Sequence, residues 1–349
     1  MSSIDDHGGW PALLTRLLAD EDLTADEAHG AMSTILSGDA TPAQLIGFVV
    51  ALRAKGETAE ELSGLLDAVL AHAAIVPLTD AQRASAVDIV GTGGDHSHSI
   101  NVSTMAAIVT AAAGVPVCKH GARGASSKCG TADVLEQLGV AIELTPEGVK
   151  HCVEQAGIGF CFAPAFHPAF RFAAPARREI GIPTVFNLLG PMANPARVRR
   201  QVIGVANPGV ADRMAETLVR HGSTRAWIVH GNGLDELSTT GPSSVLEVDH
   251  GEIHRFDVDP ESLGLHAAGL DELTGGDAEQ NAAAVRAVLA GEHGAHRDIV
   301  VLNAGAGLVV GGLVDSLADG LDRAAATIDS GAAASTLDRF VSVSQEAAG

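Results

Sequence analysis

Short apolar segments alternate with helical segments over most of this chain, and no other feature constrains its fold more strongly. Residues 86–90 form a largely apolar run that ends in glycines, and an alanine-rich helix is expected at 103–113. Comparable apolar runs occur at 115–118, 158–162, 201–205, 225–229 and 298–302. Strands that alternate with helices are typical of an α/β fold with a largely parallel sheet. We therefore predict a large α/β domain with a central, mostly parallel sheet.

The first 75 residues lack this alternation and predict a small all-helical lobe. Three helix starts carry capping-box sequences, in which a threonine and a Glu or Gln three residues later satisfy free N–H groups of the first turn. They are Thr24 with Glu27, Thr41 with Gln44, and Thr58 with Glu61. The helical lobe is therefore expected over residues 1–75.

Later segments complete the predicted division into domains. We expect 165–190 to be helical and to pack back onto the lobe, 187–195 to contain a rigid turn, and the tail, 318–346, to form two closing helices. The α/β domain would then comprise residues 80–164 and 195–346 of the 349-residue chain.

Charge and cysteine content oppose several classes of protein. The net charge of −21 at pH 7 disfavours binding to nucleic acid and to anionic membranes. Four cysteines without a CxxC pair indicate free thiols in a reducing compartment. No apolar run reaches the length of a membrane span, and the first residues lack a secretory pattern. We expect a cytoplasmic protein that binds neither nucleic acid nor membranes.

The glycine-rich sequence 91–95, GTGGD, joins the first predicted strand to a helix. Glycines let the backbone approach an anion, and the free N–H groups of a helix start favour negative charge at the same place. Asn101, Ser103 and Thr104 add side-chain donors. The spacing matches neither the dinucleotide-binding fingerprint nor a P-loop, so a plain turn with a helix cap is the alternative. The combination favours a phosphate site.

A second candidate anion site lies in the segment 118–130, CKHGARGASSKCG. Its cations are Lys119, Arg123 and Lys128, and Ser126 and Ser127 supply hydroxyl donors. Cations and backbone N–H groups of this kind hold phosphate oxygens. In so acidic a chain the cluster predicts a small anionic ligand, and the alternative is a solvated basic loop.

Two further groups predict a metal and an acceptor. Asp235 and Glu236 are adjacent, and Mg²⁺ commonly binds through one or two carboxylates plus substrate phosphates. Arg177 and Arg178 suit bidentate binding of a carboxylate. Ordinary surface charge for the acidic pair, and an ion pair with Glu179 for the arginines, are the alternatives.

Together these motifs resemble those of the anthranilate phosphoribosyltransferases of tryptophan synthesis. The match consists of GTGGD at 91–95, NVST at 101–104, KHGxRxxSS at 119–127, RREIGIPTVFNLLGP at 177–191 and LDEL at 234–237, in family order across nearly the whole chain. The resemblance implies a homodimer of the class III phosphoribosyltransferase type, with the fold of pyrimidine nucleoside phosphorylases. It implies Mg²⁺-dependent transfer of the phosphoribosyl group of phosphoribosyl pyrophosphate (PRPP) to the amine of anthranilate, which gives N-(5-phosphoribosyl)anthranilate and pyrophosphate.

The resemblance also assigns roles to residues. The PRPP site would be lined by Gly91, Gly94, Asp95, Ser99, Asn101, Val102, Ser103, Thr104, Lys119, Ser126, Ser127 and Thr131. Mg²⁺ would contact Ser103, Asp235 and Glu236. Anthranilate would lie against Gly91, His120, Ala122, His167, Phe170 and Arg177, with Arg177 on its carboxylate. Catalysis would rest on charge neutralisation by Lys119 and Arg123 and on positioning, because the arylamine is already neutral at pH 7.

Two positions depart from the family pattern. The family's loop reads KHGNR, whereas this chain carries Ala122 in place of the asparagine, and Phe172 stands where relatives often have histidine. Both changes make the acceptor side more apolar, and one lost hydrogen bond to a charged ligand would cost roughly 1.5–3 kcal/mol. Three explanations stay open: an engineered alanine, naturally weaker anthranilate binding, or a different aromatic acceptor.

Two other functions also stay open. A pyrimidine nucleoside phosphorylase-like enzyme would use phosphate as the nucleophile, but the chain is short for the extra C-terminal domain of that group. A non-catalytic relative would bind PRPP or nucleic acid, but the Asp235-Glu236 pair and the net charge of −21 oppose it.

Overall fold

The amino-terminal helices begin where the capping sequences predict. The computed structural model describes residues 4–124 and 128–349. The lobe consists of α1 (Gly9–Leu18), α2 (Ala25–Ser37), α3 (Pro42–Lys55) and α4 (Ala59–Ala71). At the starts of α2, α3 and α4 the threonine hydroxyl accepts an N–H of the first turn, and the Glu or Gln side chain returns to the threonine N–H. The three predicted capping boxes are therefore confirmed.

A seven-stranded sheet, counted over the described residues, lies behind the lobe. Its strands are β1 (Val87–Gly91), β2 (Val117–Gly121), β3 (Ile158–Phe162), β4 (Arg200–Gly204), β5 (Arg225–Gly231), β6 (Ser243–Asp249) and β7 (Glu252–Val258). The spatial order is β3-β2-β1-β4-β5-β6-β7; the first five are parallel, and β6 and β7 pair antiparallel. The predicted α/β fold with a mostly parallel sheet is confirmed.

Helices cover both faces of the sheet. After the lobe they are α5 (Asp80–Ser85), α6 (Val102–Ala112), α7 (Thr131–Gln137), α8 (Pro146–Ala156), α9 (Ala163–Phe166), α10 (Ala174–Ile180), α11 (Val185–Met192), α12 (Ala211–Arg220), α13 (Ala278–Leu289), α14 (Ala295–Gly311), α15 (Leu317–Asp329) and α16 (Ala332–Ala348). The two predicted closing helices are confirmed as α15 and α16, whereas most of the turn expected at 187–195 belongs to α11. Among the described residues, none of the helices combines the length and apolarity needed to cross a membrane.

Alternate strand residues face different layers, as the pleat of a strand requires. Ile89 and Val202 belong to one buried cluster, which also contains the inner faces of α6 and α14. Val90 and Ile203 belong to a second cluster, which contains the buried side chains of the lobe and of α11 and α12. The lobe therefore packs, together with α10 and α11, against one face of the sheet.

The strand predicted at 298–302 is wrong, because these residues lie inside α14. Ile299, Val300 and Leu302 are each fully buried, and α14 packs between α6, α15 and the sheet. A helix that is surrounded by protein has no polar face, so a short stretch of it cannot be distinguished from a buried strand by pattern. The antiparallel strands β6 and β7 were not predicted.

Candidate active site

The candidate site lies where the sheet changes its direction of winding. β1 is flanked by β2 on one side and by β4 on the other, and Gly91 at the end of β1 is the register partner of Gly204 at the end of β4. In open parallel sheets, ligands bind in the crevice at the carboxyl ends of such strands. Asp235, in the loop after β5, lies against both glycines, because a Cβ at either position would overlap its atoms. Only glycine permits this approach.

The glycine-rich loop is tied to the same carboxylate. The N–H of Gly93 donates to Oδ2 of Asp235 at 2.6 Å. Gly93 and Gly94 have φ values of 67° and 81°, which glycine adopts without strain. Asp95 accepts the hydroxyl of Ser97 at 2.9 Å and the N–H of Asp235 at 3.5 Å. Two loops that are far apart in the chain therefore form one unit.

Asp235 and Glu236 carry more negative charge than their surroundings balance. Burial, and next the negative charge of the neighbouring Asp95, raises the pKa of Asp235 to about 7. Burial, followed by the charge of Asp235, raises the pKa of Glu236 well above its usual value. Carboxylates whose charged form is penalised in this way are stabilised by a nearby cation.

Lys119 is the buried cation beside them. The residue is 2% exposed, and its Nζ donates to the carbonyl oxygen of Ile89 and, at 3.2 Å, to Oγ of Ser103. Burial lowers the pKa of Lys119, whereas the surrounding carboxylates, Asp88 first, raise it. The ammonium group therefore joins β1, β2 and the start of α6 beneath the crevice.

Asp88 and Asn194 form a buried support behind Lys119 that the sequence did not indicate. Nδ2 of Asn194 donates to Asp88 and to the carbonyl oxygen of Cys118, both at 2.8 Å. The other oxygen of Asp88 accepts the N–H of His120 at 3.1 Å. Burial raises the pKa of Asp88 to about 6, and the charge of Lys119 opposes this. No local pattern marks Asn194 for this role, because its partners lie far away in the chain.

Helix α6 opens towards the crevice. Asn101 precedes the helix, and its side chain does not cap it. Its Nδ2 donates to the carbonyl oxygen of Cys129 at 3.3 Å, and its Oδ1 accepts a hydrogen bond from Nδ2 of Asn281 at 2.9 Å. Oγ1 of Thr104 lies 3.3 Å from Oγ1 of Thr131. The side chain of Asn101 thus leaves the first-turn N–H groups of α6 to an anion. Asn281, on α13, was not among the predicted site residues.

The remaining predicted donor-site residues fall into two groups. Ser99 accepts the hydroxyl of Ser97 at 3.2 Å, and Val102 is the buried first residue of α6. Ser126 and Ser127 lie outside the described residues.

Arg123 is held by carboxylates. Its guanidinium lies 3.0 Å from Asp133 and 2.8 Å from Glu136, both on α7, and 5.5 Å from the ring of Phe162. Its hydrogen bonds to Glu136 and then to Asp133 raise the pKa of Arg123 above its usual value. Asp133 also accepts hydrogen bonds from the N–H groups of Gly124 and Gly130, two residues of the basic segment. The charge of Arg123 is neutralised within the protein.

A row of aromatic rings extends from His120, the residue after Lys119, towards the lobe. The ring centres of His120 and His167 are 5.0 Å apart, those of His167 and Phe170 are 5.4 Å apart, and those of Phe170 and Phe186 are 5.7 Å apart. The guanidinium of Arg177 lies 4.9 Å from the centre of the Phe186 ring. Within residues 4–124 and 128–349, no carboxylate pairs with Arg177, and burial lowers its pKa. The row therefore ends in a partly buried cation that suits a ligand carboxylate.

His120 carries an unused acceptor. Its Nδ1 lies 3.2 Å from the carbonyl oxygen of Gly190, which assigns the ring proton to Nδ1. Burial, and next the proximity of His167, lowers the pKa of His120 well below its usual value, so the ring is neutral. Its Nε2 is buried and has no hydrogen-bond partner in the described part of the chain. A ligand N–H would satisfy this atom.

Known protein families match both the helical lobe and the α/β part of the chain. Residues 83–334 match the family model described as "Glycosyl transferase family, a/b domain", and residues 11–73 match "Glycosyl transferase family, helical bundle domain". The anthranilate phosphoribosyltransferase of Acidothermus cellulolyticus is 54% identical over 99% of this chain and 98% of its own length. That of Arthrobacter sp. is 51% identical over 96% of each chain. The chain belongs to the anthranilate phosphoribosyltransferase family.

Solved structures of the family agree with this fold. The enzyme of Thermus thermophilus is 42% identical, with a TM-score of 0.89 over 95% of this chain and 99% of its own. The enzyme of Saccharomyces cerevisiae "in complex with PRPP and Mg" is 28% identical, with a TM-score of 0.87 over 97% of this chain and 98% of its own. The family assignment and the phosphoribosyltransferase fold class made from sequence are confirmed.

The two positions that depart from the family pattern are both exposed. Ala122 is exposed, and its carbonyl oxygen accepts the N–H of Ala132 at 3.1 Å, so its backbone supports the start of α7 while its side chain offers no donor. Phe172 is 42% exposed, and the guanidinium of Arg171 lies 4.7 Å from its ring centre.

The metal-ligand prediction fits the chemistry of the donors. No group of three or more His, Cys, Asp and Glu side chains suited to a metal occurs among the residues described. Asp235, Glu236 and the hydroxyl of Ser103 are oxygen donors, and the raised pKa values of both carboxylates favour an added cation. A site with two carboxylates suits Mg²⁺, which takes its other ligands from substrate phosphates and water.

Proposed function

We propose that this chain transfers the phosphoribosyl group of PRPP to the amine of anthranilate and releases pyrophosphate. The observation that carries the proposal is one crevice with two chemically different ends. At one end lie Asp235, Glu236 and Lys119 beside the glycine-rich loop. At the other end, the aromatic row leads to Arg177. Family membership adds the expected reaction, which belongs to tryptophan synthesis.

The donor end would hold PRPP by backbone and side-chain donors. Gly91 and Gly94 admit the ligand close to the backbone, Asp95 would accept ribose hydroxyls, and the first turn of α6 would bind phosphate oxygens. The full set is Gly91, Gly94, Asp95, Ser99, Asn101, Val102, Ser103, Thr104, Lys119, Ser126, Ser127 and Thr131. Lys119 is the cation closest to the carboxylates and would oppose the charge of the pyrophosphate.

Mg²⁺ would be held by Ser103, Asp235 and Glu236 together with PRPP oxygens. When bound, it neutralises the charge that builds on the departing pyrophosphate. The contribution of the protein is to hold the two carboxylates in place, which the close contacts of Asp235 with Gly91 and Gly204 achieve.

The acceptor end would bind anthranilate through both of its polar groups. Arg177 would hold the carboxylate, and the ring would lie between Gly91, His120, Ala122, His167 and Phe170. Nε2 of His120 would accept an N–H of the amine, which directs the nitrogen lone pair towards C1′ of PRPP. Positioning of this kind supplies much of the rate when the nucleophile is already neutral.

In the reaction, the amine nitrogen forms a bond to C1′ on the face opposite the pyrophosphate. The C1′–O bond breaks, its electron pair leaves with the pyrophosphate, and the configuration at C1′ inverts. The amine then loses one proton to the pyrophosphate or to water. The lowered pKa of His120 makes it a weak base, so its part is to orient the amine.

The test follows the loss of anthranilate fluorescence with PRPP and Mg²⁺, for the wild type and for Ala122→Asn. Loss that requires both PRPP and Mg²⁺ supports the proposal, and improvement of about ten- to hundredfold in the variant makes Ala122 a missing acceptor contact. PRPP binding without loss of anthranilate in either protein would mean a different aromatic acceptor. Absence of PRPP binding would refute the donor site.

We further propose a homodimer in the cytoplasm, with a lobe of 1–75 plus 165–190 and an α/β domain of 80–164 and 195–346. Leu18 on α1 is 80% exposed, and Val50 on the adjacent α3 is 38% exposed, which supports contact of the lobe with a second copy. Cys118, Cys152 and Cys161 are free and buried, and Cys129 is also buried, which suits a reducing compartment. Sedimentation of the purified chain at twice its monomer mass would support the dimer.

A further inference from the structure

A cavity at the opposite end of the strands takes no part in the proposed reaction. It has a volume of about 410 Å³ and lies between α4 of the lobe, α12 and the segment that leads into β4. Arg83, Arg199 and Ser223, which precede β1, β4 and β5 respectively, line it. The crevice described above lies at the carboxyl ends of β1 and β4, so this cavity lies at the amino ends. Its size suits a small organic ligand.

Arginine dominates the polar lining of this cavity. Arg83, Arg197, Arg199 and Arg220 all contribute, whereas Asp67 supplies the one carboxylate among the described lining residues. In the part of the chain that the structure describes, no carboxylate pairs with Arg197, Arg199 or Arg220. This concentration of unbalanced positive charge occurs in a chain whose net charge is −21. Like charges that are held together in this way favour an anion between them.

The backbone holds two of these arginines side by side. The N–H of Arg199 donates to the carbonyl oxygen of Arg83 at 3.0 Å, where the chain enters β4 next to β1. The nearest carboxylate to Arg83, that of Asp80, is 3.8 Å away. Nε of Arg83 is buried and has no hydrogen-bond partner among the residues described. Such a donor costs free energy that an anionic oxygen would recover.

We propose that this cavity binds a small phosphate-bearing anion. Guanidinium groups bind phosphate oxygens in bidentate geometry, and several of them against one carboxylate match a multiply charged ligand better than a monocarboxylate. Leu66, Met192 and Leu218 also line the cavity and would contact the organic part of the ligand. Because α4 belongs to the lobe and the four arginines lie in the region that follows it, 83–220, the ligand contacts both.

The test measures the binding of pyrophosphate by isothermal titration calorimetry without Mg²⁺. Lys119→Met weakens binding at the candidate active site, and Arg199→Gln/Arg220→Gln weakens binding at the cavity. Arg286→Gln/Arg323→Gln is the matched control, because it removes the same charge from the outer helices. A binding step should persist in Lys119→Met and in the control, and should weaken at least about tenfold in Arg199→Gln/Arg220→Gln.

Asp67→Asn tests the same site with the opposite sign. Removal of the negative charge of Asp67 should strengthen pyrophosphate binding about two- to fivefold. The proposal is overturned if the folded Arg199→Gln/Arg220→Gln chain binds pyrophosphate as the wild type does, or if Lys119→Met, shown to be folded, has lost all binding. If the double variant does not fold, unchanged affinity in Asp67→Asn overturns it.

Discussion

Replacement of Arg177 by methionine should weaken the use of anthranilate without weakening the fold. The guanidinium of Arg177 is partly buried, lies 4.9 Å from the centre of the Phe186 ring, and has no carboxylate partner within the described residues. A cation in such a place is available to a ligand, and its burial is not compensated inside the protein.

The two effects have different magnitudes. A hydrogen bond between charged groups is worth about 1.5–3 kcal/mol, so loss of the carboxylate contact should lower kcat/KM for anthranilate by about ten- to hundredfold or more. For stability, the lost attraction to the ring costs about 0.5–2 kcal/mol, while removal of a poorly solvated charge offsets it. We expect the unfolding free energy to change by less than about 1 kcal/mol.

The assay measures the loss of fluorescence at varied anthranilate and saturating PRPP, with urea unfolding of the same samples. Arg178→Met is the matched control, because this neighbouring arginine is exposed and should leave kcat/KM within about twofold. Aniline, which lacks the carboxylate, provides the decisive comparison. Wild type should use it poorly, and Arg177→Met should change that rate little.

Three results would refute the reasoning. In the first, Arg177→Met keeps the full kcat/KM for anthranilate. In the second, Arg177→Met loses activity with aniline by the same factor as with anthranilate. In the third, Arg178→Met loses more activity with anthranilate than Arg177→Met does. The first would remove Arg177 from the acceptor site, the second would make its role structural, and the third would exchange the two arginines.

Three further predictions follow from particular contacts. Gly204→Ala places a Cβ on the backbone of Asp235, so kcat should fall at least about hundredfold as the carboxylate moves, measured with PRPP and Mg²⁺ saturating; full activity would contradict the contact. In the wild type, Arg213 lies 2.9 Å from the buried carboxylate of Glu57 and is its closest cation. Arg213→Met should therefore lower the free energy of unfolding in urea by about 3 kcal/mol, and a decrease below about 1 kcal/mol would show that the pair matters little. Burial lowers the pKa of His167 from 6.5 to about 4, so the folded state resists protonation. Its contribution to stability is complete above pH 6.5 and is lost as the pH falls to 4, which amounts to about 3 kcal/mol. The pH dependence of unfolding should therefore be flatter over this range in His167→Gln, and identical curves would exclude His167 as the cause.

The sequence predicted local structure correctly where the interacting groups lie within a few residues of each other. The capping boxes at Thr24, Thr41 and Thr58 formed as expected because donor and acceptor lie three residues apart on one turn. Strand β1 and the glycine turn that follows it were predicted correctly for the same reason. The run at 298–302 was misassigned because its apolarity reflects burial within α14, and burial is a property of neighbours that are distant in the chain.

The candidate site shows the same boundary. Motifs named most of the residues that meet at the crevice, since each motif carries its own chemistry, such as glycines before a helix or adjacent carboxylates. No motif indicated Asn194 behind Asp88, Asn281 on Asn101, or the carboxylates that neutralise Arg123. These partners come from other elements, and their contacts exist only after the sheet has formed.

The sequence by itself therefore determined the fold class, the lobe, the family and the kinds of chemical group in the site, because periodicity and motifs are local properties. The tertiary structure alone decided how those groups interact. It brought Asp235 against Gly91 and Gly204 and buried Lys119 among carboxylates. It left Nε2 of His120 without a hydrogen-bond partner in the described part of the chain, and it gathered four arginines at the amino ends of the strands. Burial and charge proximity set these properties, and both depend on which distant segments the sheet places side by side.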